Sequence, residues 1–195
     1  MPAHVPATTG VPSDALARWR GKTALVTGAS SGIGWAIAED LARHGVKVVA
    51  CARREQRLQQ LVAAVGSDEG SLITPRVCDL LQPGAIDGLF DELAAGEGVD
   101  ILINNAGHGR GPGLLDGNIG AWREMLELNV LALSHCTQRA VADLRGRGVP
   151  GHIVHVSSMS SHRVPRGGGM YSASKYAVRA LTEGLRQELQ ALGLP

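Results

Sequence analysis

At 195 residues the chain has the length for one domain with a sizeable core. Its hydrophobic content of 44%, with 19% charged residues, is ordinary for a soluble globular protein. A formal net charge of +1, with Lys and Arg scattered apart from pairs such as Arg53-Arg54, excludes the basic field that would hold nucleic acid or an acidic membrane surface.

Met1–Arg18 is rich in Pro, Ala and Thr and lacks the charged start and apolar run of a secretion signal, so 1–20 reads as a flexible tail before one domain over 21–195. Short β-branched runs then follow at Thr23–Thr27, Val46–Cys51, Leu72–Val77, Val99–Asn104 and His152–Ser157. Between and after them, helical periodicity covers Gly32–His44, Glu55–Val65, Ala85–Ala95, Ile119–Arg145 and Tyr171–Leu192. This alternation predicts β-α-β units around a parallel sheet, the Rossmann-like doubly wound α/β class. The strands are apolar nearly throughout, as strands covered by helices on both faces must be. Gly-rich stretches at Gly107–Gly113 and Gly167–Gly169 follow strand ends, where loops over a ligand crevice are expected. No apolar run approaches the ~18 residues of a membrane span, so no membrane partner and a cytoplasmic location are expected. Cys51, Cys78 and Cys136 are far apart in sequence without C-x-x-C spacing, and read as buried apolar side chains.

The first strand runs into Thr27-Gly28-Ala29-Ser30-Ser31-Gly32-Ile33-Gly34 and then into a helix. Glycines there permit a tight turn and let backbone N–H groups approach a pyrophosphate, whose charge the helix N-terminus favours. By itself the G-x-x-x-G-x-G spacing also fits a plain turn. At the tip of the second strand an NAD site usually places an acid on the ribose 2′-hydroxyl, but here stand Ala52, Arg53 and Arg54. An acid would repel a 2′-phosphate, whereas Arg clamps one with paired N–H bonds; the alternative is two solvated arginines. Glu55 falls in the start of the next helix, so NADP(H) is the expected cofactor.

Tyr171 and Lys175 are four residues apart and share a helix face. Hydride transfer to a carbonyl leaves an oxyanion that needs a proton, and the reverse reaction needs a base. A tyrosine with pKa ~10 is about three units too high near neutrality, roughly 4 kcal/mol. A lysine cation about 4 Å away contributes on the order of 4 kcal/mol at an effective dielectric near 20. The pair is matched to the task in size, though Y-x-x-x-K is also a common helix-surface spacing.

Taken in order, the glycine octet, Asn104-Asn105-Ala106-Gly107, Leu128-Asn129-Val130, Ser158 and Tyr171/Lys175 resemble the short-chain dehydrogenase/reductase family, from Lys22 to the last residue. The resemblance implies that Gly28, Ser30, Ser31, Gly32, Ile33 and Gly34 cradle the cofactor, with Arg53 and Arg54 at its ribose phosphate. It implies that Asp79 contacts the adenine amino group with Leu80 beside the ring, although Asp79 also reads as a turn residue. Asn105, Ala106 and Gly107 would line the cofactor. Tyr171 would exchange the proton and Ser158, 13 residues before it, hold the carbonyl oxygen, with Ser157 as its neighbour. Lys175 would lower the tyrosine pKa and bond the nicotinamide ribose, and Asn129 would anchor a relay water. Stretches such as Val130-Leu131-Ala132-Leu133-Ser134 and Ser158-Met159-Ser160-Ser161-His162-Arg163-Val164 are similar to the branch called dehydrogenase/reductase member 11 and its insect farnesol-dehydrogenase relatives. That branch implies lipophilic ketone or secondary-alcohol substrates, and the family implies a homo-oligomer paired through the helices of the fourth and fifth units.

Set against the family pattern, five of the usual seven strands are present, and the sixth and seventh strands, a P-G motif and a substrate loop have no counterpart. The fifth strand is therefore expected to carry a bare apolar edge that invites pairing, and turnover to be slower than in a longer chain. His108, His152, His155 and His162 lack spaced Cys or carboxylate partners, so no metal is expected; His108 and Arg110 follow the N-N-A-G stretch, where they either line a substrate mouth or are ordinary loop residues. The competing readings are a catalytically silent NADP-binding or interaction protein, and a nucleotide-sugar epimerase or dehydratase, against which the glycine spacing counts.

Overall fold

The computed structural model describes residues 16–66, 71–109 and 113–193. Strands and helices alternate as β1 (Thr23–Thr27), α1 (Gly32–Arg43), β2 (Lys47–Ala52), α2 (Glu55–Val65), β3 (Ile73–Val77), α3 (Ala85–Ala94) and β4 (Ile101–Asn104). There follow α4 (Ile119–Leu126), α5 (Leu133–Arg147), β5 (His152–His155) and α6 (Gly169–Ala191). The strands form one parallel sheet in the order β3-β2-β1-β4-β5. The expected doubly wound α/β architecture is what the chain adopts.

Side-chain parity along the central strands builds two cores. Ala24 and Val26 of β1, Val48 and Ala50 of β2, and Ile101 and Ile103 of β4 face α1 and α2, meeting Ala38, Leu41, Leu58 and Leu61. Leu25, Val49, Cys51 and Leu102 point the other way, onto Ile86, Leu89 and Phe90 of α3 and Cys136 and Ala140 of α5. Because both parities are buried, β1 and β4 show no polar alternation and are fully buried. The sheet edges differ. Strand β3 carries Pro75, which has no N–H to offer a further neighbour, and strand β5 pairs with β4 alone among the described residues.

From β1 the chain winds outward to β3, then crosses back to β4 and β5. The reversal lies between β1 and β4, which are adjacent, and a crevice opens at their carboxyl ends. Two expectations need correction. A single helix over Ile119–Arg145 is divided by a wider π-helical turn at Glu127–Ala132, between α4 and α5. The expected tail is also structured at its end. A 3-10 turn at Ala17–Trp19 lets Leu16 and Trp19 pack on the core, with the Trp19 ring 6.1 Å from that of His152. Residues 1–15 lie outside the described residues. Among the described residues no helix is long and apolar enough to cross a membrane.

Candidate active site

The crevice measures about 460 Å³, within the range of small-molecule and cofactor sites. One end is built by the β1–α1 turn and the tips of β2 and β3. Gly28 has φ +69°, and a Cβ there would stand 2.9 Å from the Ala106 Cα. Gly34 is a spacer: its Cβ would fall 2.3 Å from Asn105 Nδ2 and 2.6 Å from the Gly28 carbonyl oxygen. Asn105 fastens this turn to the end of β4, donating from Nδ2 to the carbonyls of Thr27 (3.0 Å) and Gly28 (3.3 Å). Thr27 Oγ1 in turn accepts from the backbone N–H groups of Asn105 and Ala106, both at 3.0 Å.

Gly32 differs from both. Its φ is +57°, and a Cβ there would meet nothing within 4 Å. Ser31 begins α1 without a side-chain cap bond, so the first N–H groups of the helix keep their capacity for an anion. An open approach over a glycine onto an uncapped helix start is the chemistry a pyrophosphate requires, and the residues present fit one. Gly32 and Gly34 themselves are not on the crevice wall, whereas Gly28, Ser30, Ser31 and Ile33 are.

Arg54 reaches back over the turn, donating from Nε (3.1 Å) and Nη2 (2.8 Å) to Ser30 Oγ and from Nη2 to Ser31 Oγ (2.8 Å). Each serine accepts from the guanidinium and keeps its own proton for an anion. Arg53 lines the same wall and has no carboxylate partner among the described residues; Glu55, first residue of α2, is not on the wall. Asp79 accepts the Leu81 N–H at Oδ1 (3.1 Å), a turn that occupies one carboxylate oxygen and leaves the other for an amino group. Thus Asp79 is a turn residue and lies on the wall, with Leu80 beside it.

At the other end Tyr171 and Lys175, one turn apart on α6, face the crevice together with Ala106, Gly107 and Val156. Lys175 Nζ donates to the Val156 carbonyl (2.9 Å) and lies 6.0 Å from the centroid of the Tyr171 ring. Burial pushes its ammonium down from the ordinary lysine value, since the cation has lost solvation. A neighbouring anion would restore what solvation no longer supplies. The backbone of Gly109 packs flat on Tyr171, where a Cβ would stand 2.8 Å from the ring.

Asn129, 1% exposed, sits in the π-helical turn behind this wall rather than on it. Its Oδ1 accepts the His108 N–H (3.0 Å), and its Nδ2 donates to the His108 carbonyl (2.8 Å) and to Ser174 Oγ (3.0 Å). The side chain therefore ties the loop after β4 to α6. A Cβ on Gly107 would stand 2.9 Å from Asn129 Oδ1 and 3.8 Å from Lys175 Nζ, so the glycine keeps open a space that both polar groups bound. Ser158 is not on the wall. It starts a 3-10 turn at Met159–Ser161, and its Oγ accepts the Ser160 N–H (3.1 Å), while Ser157 lines the crevice. That cap uses a lone pair and leaves the Ser158 hydroxyl proton for donation.

His108 also lines the crevice, with Nε2 3.7 Å from Glu124 Oε1; Arg110 lies outside the described residues. No group of three or more His, Cys, Asp or Glu able to hold a metal occurs among the described residues. Sequence reading missed Cys51 and Cys78, which line the adenosine end. Strand parity carried the signal: Cys51 directly precedes Ala52-Arg53, and Cys78 directly precedes Asp79-Leu80.

Comparison with known proteins gives the family. The sequence model of the family described as short chain dehydrogenase matches residues 22–194. Dehydrogenase/reductase SDR family member 11 of Bos taurus is 49% identical over 181 residues, covering 90% of this chain and 71% of that protein. Farnesol dehydrogenase of Aedes aegypti is 43% identical over 182 residues, covering 90% and 74%. An actinorhodin polyketide ketoreductase solved with NADPH superposes with a TM-score of 0.79 at 32% identity, covering 86% of this chain and 65% of that one. The chain thus spans about seven tenths of these curated relatives and about two thirds of the solved ketoreductase.

Proposed function

The chain belongs to the short-chain dehydrogenase family of oxidoreductases, and from that premise we propose that it is an NADP(H)-dependent enzyme interconverting a lipophilic ketone and its secondary alcohol. The observation that carries the reading is one crevice with an arginine-and-serine clamp at one end and Tyr171 with Lys175 at the other. When bound, the nicotinamide supplies or accepts the hydride. Tyr171 gives its phenolic proton to the carbonyl oxygen in reduction and takes it back in oxidation. The Ser158 hydroxyl, set just behind Ser157 of the wall and left with its proton free by the cap, is assigned to donate to the same oxygen. Lys175 holds the ribose with its cation 6.0 Å from the centroid of the Tyr171 ring, and a water between Asn129 Oδ1 and Lys175 Nζ passes the replacement proton.

The 2′-phosphate is assigned to Arg53, Arg54, Ser30 and Ser31, and the adenine amino group to Asp79. Support for NADP comes from the two guanidinium groups where an acid would select NAD, and from the NADPH held by the superposed ketoreductase. A lipophilic substrate is supported by exposed Met159 beside Ser158, and by exposed Leu114 packed where a Cβ on Gly169 would be, two residues before Tyr171. The name of the mosquito relative points the same way. Exposed Leu126 and Leu131 around the π-helical turn and Tyr176 and Leu181 on α6 favour a homodimer through these helices. Three free thiols favour a reducing compartment such as the cytoplasm.

Cofactor choice provides the test. NADP(H) is expected to bind at least about tenfold more tightly than NAD(H), about 1.4 kcal/mol, and Arg53→Asp to reverse the order. Titration calorimetry giving equal affinities for the two dinucleotides would remove the clamp from this account.

A further inference from the structure

We propose that Cys78, set against Cys51 in the adenosine half of the crevice, is a modification site for small soft electrophiles, and that its alkylation closes the crevice to the dinucleotide. The inference rests on reading this crevice as the NADP site. All three cysteines of the chain are free thiols, and the fold gathers them from three separate elements into one apolar cluster between the sheet, α3 and α5. Strands β2 and β3 are paired with Ala52 opposite Val77, and the Cys78 N–H donates to the Ala52 carbonyl at 3.0 Å. Cys51 and Cys78 therefore share one face of the sheet and both reach the crevice wall, each immediately before the residues assigned to the adenosine.

The three thiols are not equivalent. Cys136 is wholly buried, and burial pushes its thiol up to about 12. Cys51 is buried too, and the adjacent Cys78 thiol together with lost solvation holds its thiol well above the ordinary value. Cys78 donates from Sγ to the Ala85 carbonyl at 3.8 Å, and the neighbouring Cys51 thiol lowers its pKa against the opposing effect of burial. Half-buried on the wall of an open crevice, with Cys51 and Cys136 fully buried, it is the thiol of the three that a small reagent can reach. With iodoacetamide, the Cys78 sulfur attacks the methylene carbon, a C–S bond forms, the C–I bond breaks, iodide leaves with its electron pair and the thiol proton passes to solvent. The added group then projects beside Asp79 and Leu80, where the adenine ring is assigned. A bound dinucleotide must shield the sulfur, and a modified sulfur must exclude the dinucleotide.

The experiment uses the full chain. NADP+ binding to the unmodified protein is measured first by calorimetry; absence of binding overturns the crevice reading and this proposal with it. Limiting iodoacetamide followed by peptide mass mapping is expected to label Cys78 ahead of Cys51 and Cys136. Saturating NADP+ is expected to slow that labelling at least about tenfold. The labelled protein is expected to bind NADP+ at least about tenfold more weakly, and Cys78→Ser to make the affinity insensitive to the reagent. If unmodified protein binds NADP+ yet Cys78 stays unlabelled, or its label leaves the affinity unchanged, the proposal is overturned while the crevice reading stands. The labelling and protection measurements need no variant, so misfolding of Cys78→Ser would not blunt the test.

Discussion

Tyr171→Phe is expected to cut turnover about a thousandfold while leaving the NADP(H) dissociation constant within about twofold of its original value. The reasoning is one of place. The phenol oxygen is assigned to the reacting carbonyl, whereas the ring is held by the Gly109 backbone, which phenylalanine would satisfy equally. Loss of proton transfer removes an interaction made mainly in the transition state, and a thousandfold corresponds to about 4 kcal/mol of barrier. Lys175→Ala should behave differently, weakening cofactor binding as well as turnover, because its Nζ is assigned to the ribose and bridges α6 to the Val156 carbonyl. Steady-state and stopped-flow kinetics with calorimetry separate the two patterns. A Tyr171→Phe enzyme with undiminished turnover would remove the proton-transfer assignment.

Two glycines of one turn are expected to fail in different ways. Gly34→Ala places a methyl 2.3 Å from Asn105 Nδ2 and 2.6 Å from the Gly28 carbonyl, and the carbonyl belongs to backbone that cannot swing aside. Either β1 and β4 lose the Asn105 fastening or the turn shifts, so a loss of about 2–3 kcal/mol is expected, with cofactor binding lost as the crevice deforms. For a domain of this size that is a fall of about 4–12 °C in melting temperature. Gly32→Ala meets nothing in the protein and costs only the left-handed backbone, about 1–2 kcal/mol, but under the proposed placement of the pyrophosphate its methyl would stand in the approach to the helix start. It should fold and fail to bind. Calorimetric melting and NADP+ titration of both variants check this, and a Gly34→Ala protein with the original melting temperature and affinity would contradict it.

Where sequence and structure agree, local chemistry sufficed. Strands β1, β2 and β4 were legible because both of their faces are buried, leaving runs without polar interruption. Gly28, Ser30, Ser31, Arg53 and Arg54 were assigned to one site from the glycine turn, the tip of the second strand and the family resemblance, and the crevice brings them together. The π-helical turn was not legible, because Glu127–Ala132 keeps an ordinary helical pattern. The turn carries a tertiary interaction, the clasp of Asn129 on the His108 backbone 21 residues away. Ser158 was assigned by its spacing to Tyr171 and by the family pattern, neither of which shows that Oγ folds onto its own 3-10 turn while Ser157 takes the wall. The convergence of Cys51, Cys78 and Cys136 was hidden because it depends on strand order, with β2 between β1 and β3, rather than on separation along the chain. The packing of Trp19 on the core and beside His152 likewise arises only across the folded sheet.

The central claim is that these residues pass a hydride between nicotinamide and a carbonyl carbon. It is tested most directly by incubating the protein with reduced NADP carrying deuterium at its transferable hydrogen, together with a lipophilic ketone, and locating the label in the products. The expected result is deuterium on the carbinol carbon of the alcohol, transferred from one face of the cofactor, and about a thousandfold less when Tyr171→Phe replaces the protein at matched concentration and time. Tight binding of the labelled cofactor without any deuterium in the alcohol, across a panel of ketones, would contradict the account and leave a protein that binds NADP without catalysis.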